Sequence, residues 1–154
     1  MPEIAFDLDS VAFRDEFDYE VLHPKSGKPT GWKITFAGPG NAQTAAAEEA
    51  QLRATIAEQE AYQKEASAAL KAGKEVPTKP ALTVAEFRKK KAVQFSAQVI
   101  RSTPVSLNGE TVSLTADNAL AVFSSPKFYD WLIPQIDAAI GDKANFIAPS
   151  APIS

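Results

Sequence analysis

From Ala42 to Ala72 the chain runs 31 residues without a proline or glycine, and 12 of them are alanine. Alanine is the strongest helix former, so this stretch predicts one long helix. Glu49 stands four residues before Arg53, and Glu60 four before Lys64, the favoured order for helical ion pairs. Large apolar residues are sparse: Leu52, Ile56, Tyr62 and Leu70. At roughly 25 cal/mol per Å² of buried apolar area, such a helix gains little from burial by itself. It is expected to project, or to pack closely through alanine against another helix. The core must then come from the rest of the chain.

The flanking sequence supplies it. Over residues 13–38, Phe17, Tyr19 and Val21 alternate with Asp18 and Glu20, and Trp32, Ile34 and Phe36 with Lys33 and Thr35. Period two predicts a β-hairpin with one buried face. Its connection, His23 to Gly31, is dense in proline and glycine. Gly73 to Pro80 reads as a break. Thr83, with Glu86 three residues on, caps a helix expected to run to about Arg101, with Val84, Phe87, Phe95 and Val99 on its buried face. Val105 to Leu114 predicts a second hairpin turning at Asn108-Gly109. A short helix is expected from Thr115 and Asp117 to Phe123. A last helix should start at Ser125-Pro126, bury Phe128, Leu132, Ile136 and Ile140, kink at Pro134 and end at Gly141. The fold class is thus α+β: two short β-hairpins, a long Ala-rich helix and a C-terminal helical bundle. Residues 1–147 are expected to form a single domain with the 42–72 helix projecting, and 148–154, rich in proline and serine, a flexible tail.

Composition excludes several functions. The chain has no cysteine and one histidine, His23, so thiol chemistry and multi-histidine metal sites are ruled out. Net charge is −3 with a pI near 5.2, which does not suit a nucleic-acid or anionic-membrane surface. No run approaches the ~20 apolar residues of a membrane span. Glu3, Asp7 and Asp9 sit where a signal peptide would be basic and then apolar, which predicts a cytoplasmic protein. No cofactor and no metal is expected.

Individual motifs give little chemistry. His23 lies at a turn beside Pro24, with no positioned carboxylate to make it a base. Arg88, Lys89, Lys90 and Lys91 are consecutive, so on a helix they encircle it and read as a solvated surface, with Glu86 placed to pair with Lys90. Tyr129 and Trp131 flank the last helix's apolar stripe, at the core edge or as anchors for a partner. Ile4-Ala5-Phe6-Asp7-Leu8-Asp9-Ser10-Val11 resembles the first motif of haloacid-dehalogenase-type phosphatases, in which an apolar strand carries two aspartates, one a nucleophile and magnesium ligand and one an acid/base. Gly141-Asp142 imitates that family's last acidic motif. The remaining elements do not alternate as that fold requires.

A second resemblance covers a third to a half of the chain. Glu20 to Pro39, with Pro24-Lys25-Ser26-Gly27-Lys28-Pro29, resembles a hairpin near the start of small tailed-bacteriophage proteins. Val105 to Phe146, with its Asn-Gly turn, Leu114 to Ala119, Ser125-Pro126, Gln135-Ile136 and Asn145-Phe146, is similar to phage tail assembly chaperones. The 42–72 helix has no counterpart in this resemblance. The resemblance implies a non-enzymatic protein of the host cytoplasm that binds the tape-measure protein and helps recruit tail-tube subunits. The candidate contact residues are Leu52, Ile56 and Leu70 on the long helix, then Tyr129 and Trp131, with a homo-oligomer compatible with the alanine-rich helix. The alternatives are a structural neck or tail component of the virion, a small inhibitor of host defence and, more distantly, the phosphatase.

Overall fold

The computed structural model describes residues 6–79 and 81–147. They form a mixed α+β fold with four α-helices and two small antiparallel sheets. Strands β1 (Glu16–Leu22) and β2 (Pro29–Ala37) make the expected hairpin, with Phe17 opposite Phe36 and Tyr19 opposite Ile34. Cross-strand partners share a face, so these aromatic and branched side chains form one apolar surface. The opposite face is polar. There Thr35 donates to Asp18 Oδ1 at 2.6 Å, and Arg101 bridges to Glu16 at 2.6 Å.

After β2 the chain leaves the sheet as α1 (Ala42–Lys71), capped by Asn41, whose side chain accepts from the Gln43 N–H. Glu49 and Arg53 close their ion pair at 2.6 Å. Gly73 ends the helix at φ 69°, which lets the Lys74 N–H reach back to the Ala69 carbonyl at 2.8 Å and satisfy a terminal acceptor. Helix α2 (Val84–Ala97) starts on the expected Thr83 cap, which accepts from the Glu86 N–H.

Helix α2 stops four residues short of the expected Arg101. Gln98 caps it, and Val99–Ser102 becomes β3, antiparallel to β2. The reason is the free edge of β2: the Ala37 N–H bonds to the Gln98 carbonyl at 2.7 Å and the Thr103 N–H to the Lys33 carbonyl at 2.9 Å. Ladder hydrogen bonds and the β preference of Val99 and Ile100 outweigh one more helical turn. The outer edge of β3 is partly closed by Gln43, whose amide donates to the carbonyls of Ala97 and Val99, both at 2.8 Å. The α1–α2 pair is therefore an insertion between two adjacent strands.

Strands β4 (Val105–Leu107) and β5 (Glu110–Val112) turn at Asn108 and Gly109, both at positive φ, as a two-residue hairpin requires. Helix α3 (Ala116–Phe123) opens on a capping box between Thr115 and Asn118. Helix α4 (Tyr129–Gly141) begins three residues later than the Ser125-Pro126 signal, because Ser125 to Phe128 form a turn in which the Ser125 carbonyl accepts from the N–H groups of Phe128 and Tyr129. Pro134 lies on its exposed side.

The core sits where the apolar face of the sheet meets α2, α3 and α4. Phe36, Phe95, Phe123, Leu132, Ile136, Ile34, Val21 and Val99 are all fully buried there. Two features fasten the edge strand β1. Gln135 on α4 accepts from the Tyr19 hydroxyl at 2.7 Å and the Leu22 N–H at 2.8 Å, and donates to the Leu22 carbonyl at 3.2 Å. Beyond α4, Phe146 packs edge-on against Phe17, and its carbonyl accepts from the Arg14 N–H at 2.6 Å.

Candidate functional site

Of the described residues between 45 and 91, not one is buried. Within α1 only Thr44 is, its hydroxyl donating to the Gly38 carbonyl at 2.7 Å. Yet this segment carries Leu52, Ile56 and Leu70 at 59%, 44% and 67% exposure. At about 100° per residue the three lie within roughly 40° of each other around α1, so they form a single stripe. The side of α1 turned to α2 and to the α1–α2 connection, which with α1 make up an arm, is different: Glu58 pairs with Lys90 of α2 at 3.6 Å, and the Tyr62 hydroxyl donates to the Pro77 carbonyl at 2.8 Å.

The expected buried stripe of α2 holds only in its C-terminal half. Phe95 is buried and Val99 is buried in β3, whereas Val84 and Phe87 stand exposed, as does Leu82 before them. The first turns of α2 meet their neighbours through charge. Arg88 bridges to Asp130 at 3.2 Å and Lys91 to Asp137 at 3.3 Å, both on α4. The basic run, expected as a solvated surface, thus ties α2 to two helices, and Lys90 turns to Glu58 instead of Glu86. These pairs are substantially exposed and each contributes at most about 1 kcal/mol.

Tyr129 and Trp131 are not brought to the α1 stripe. Both are half-buried on α4 against the core. The Arg88 guanidinium lies 5.2 Å from the centre of the Tyr129 ring, and burial raises the Tyr129 phenol above its ordinary pKa. Trp131 meets Phe128 edge-on at 6.4 Å. These contacts place the pair at the core edge.

A surface that local sequence reading misses lies at the root of the arm. Ala46 and Ala47 of α1, Val93 of α2, Ile100 of β3 and Leu120 of α3 line a shallow groove of about 730 Å³. It exists because β3 returns beside α1, which no helical period through Arg101 would indicate. Val93 and Leu120 stand exposed along its lining.

The motifs with possible chemistry resolve into backbone caps. Leu8–Val11 is a 3-10 turn, not a strand; Asp7 caps it, accepting from the Asp9 N–H at 3.1 Å, while Ile4 and Ala5 lie outside the described residues. Asp142 caps Lys143–Phe146, accepting from the Ala144 N–H at 3.2 Å. Among residues 6–11 the strand on which the phosphatase resemblance depends is not formed. His23 Nδ1 accepts from the N–H groups of Lys25 and Ser26 at 3.1 and 3.4 Å, which shapes the loop. Among the described residues no group of three metal-ligating side chains converges, and no helix is long and apolar enough to cross a membrane.

In comparisons with known proteins, no family model, no curated protein and no solved structure matches the chain.

Proposed function

We propose that this protein works by non-covalent protein binding, as a tail assembly chaperone. In this reading it engages a helical segment of a phage tape-measure protein, and tail-tube subunits, in the host cytoplasm, and catalyses no reaction. The observation that carries the binding reading is the stripe of Leu52, Ile56 and Leu70 on a helix that buries nothing beyond its first turn. Large apolar side chains left exposed on one helix face offer a surface that a partner can cover. Leu52 and Ile56, four residues apart, are spaced as anchors for a partner helix laid against α1. The specific partners rest on the likeness of residues 20–39 and 105–146 to tail assembly chaperones.

The test is co-expression with the tape-measure protein, capture of the complex and measurement of tape-measure solubility. The reading expects a stable complex, a larger soluble fraction of tape-measure protein, and loss of both in a Leu52→Glu/Ile56→Glu variant. No complex, with the chain found instead as a component of purified particles, would replace it with a structural virion role.

A further inference from the structure

The α1 stripe belongs to a longer heptad seam. Taking Leu52, Gln59 and Ala66 as one heptad position and Ile56, Gln63 and Leu70 as the other gives a seam of six residues over two and a half heptads. Ala66 is half-buried and the other five are exposed. The seam has an internal symmetry: about a point beside Ala61, Leu52 mirrors Leu70, Ile56 mirrors Ala66 and Gln59 mirrors Gln63.

We infer that α1 pairs in antiparallel order with α1 of a second copy of this chain. Two observations select that occupant. The first is register. Antiparallel pairing about Ala61 sets each leucine at one end against a leucine, each isoleucine against an alanine, and the glutamines against one another at the centre. Large faces small in the isoleucine layers, and the central polar layers fix the register. A two-fold interface must be self-complementary in this way. The second is charge. The exposed acidic pair Glu48 and Glu49 lies near the start of α1, and the exposed Lys71 and Lys74 lie at or just beyond its end. Antiparallel order brings Glu48, whose neighbour Glu49 is already held by Arg53, to the other copy's lysines and opposes the helix dipoles. Parallel order would stack Glu49 of each copy in the seam. The inference rests on the same reading of the α1 stripe as a protein-contact face and adds that the contact includes a second copy.

The absence of native cysteine makes a direct test available. Leu52→Cys and Leu70→Cys are made singly in the full chain, then oxidised alone and as an equimolar mixture. The mixture should give the mixed disulfide dimer, while each variant alone stays uncrosslinked. Sedimentation of the unmodified chain should show dimer, weakened on the order of tenfold or more by Ile56→Asp. Crosslinking of Leu52→Cys to itself, no disulfide in the mixture, or a monomer at every concentration would each overturn the pairing. Capture of the tape-measure protein by a strictly monomeric chain would leave the chaperone reading standing without it; failure of both would remove the stripe as a contact face.

Discussion

The body built from the sheet, α3 and α4 and the arm built from α1 and the first half of α2 obey different physics within one chain. In the body and the second half of α2, side chains alternate or recur so that one face of each element is buried, and ten large side chains are fully buried among the described residues. In the arm, helix formation follows from alanine, caps and local ion pairs, with no residue buried between 45 and 91 among those described. Most helices in proteins owe their stability to an apolar face packed on something. The arm has such a face and leaves it open. The buried side chains are therefore concentrated in the body, and the arm carries an apolar stripe open to another chain.

The sharpest way to break this contrast is to cut the same kind of side chain in each region. Leu132→Ala, in the body, should cost about 2–5 kcal/mol in chemical denaturation, the loss expected for a buried leucine. Leu52→Ala, in the arm, should change stability by less than about 0.5 kcal/mol in solution dilute enough to keep the chain monomeric, as for surface positions. Comparable losses at the two sites would mean that the arm shares the core.

Two further changes probe how the body is closed. A Cβ at Gly38 would run into the Arg14 carbonyl and approach Phe146, so Gly38→Ala should cost about 1–3 kcal/mol by forcing the backbone apart. Gln135→Ala should cost roughly 1–3 kcal/mol, because it strips hydrogen-bond partners from the Tyr19 hydroxyl and both backbone groups of Leu22. In native-state hydrogen exchange the Gln135→Ala loss should appear first at Leu22, with no change at arm amides relative to the parent chain.

The smallest expected effect is a pH dependence. Burial holds the Tyr19 phenol above its ordinary pKa. Its contribution is fully present below the unfolded phenol's value, about 10, and is lost as pH rises through the higher folded-state value. Thermal melts from pH 9 to 11 should fall less steeply for Tyr19→Phe than for the parent. An identical slope would assign the alkaline loss to other groups.

Much of this architecture is legible in the residues because it is local. Thr83 and Thr115 mark helix starts, Gly73 and Asn108-Gly109 mark turns, and the alternation from Phe17 to Val21 and from Trp32 to Phe36 names the buried face. What the residues hide is non-local. Val99 and Ile100 continue the apolar spacing of α2, and only the open edge of β2, some 60 residues away in the chain, turns them into a strand. Val84 and Phe87 fit a buried stripe by period, but α4 meets those turns through Arg88 and Lys91 and leaves both apolar side chains uncovered. The stripe of Leu52, Ile56 and Leu70 could be named in advance because a helix with so few large side chains has no second use for them. The groove at Val93 and Leu120 could not, since it depends on β3.

The most direct test of this division of labour is the Leu52→Glu/Ile56→Glu variant, measured at once for thermal stability in dilute solution and for association with other chains. The body should melt unchanged while protein association is lost. A variant that melts markedly lower, or that keeps its partners, would contradict it.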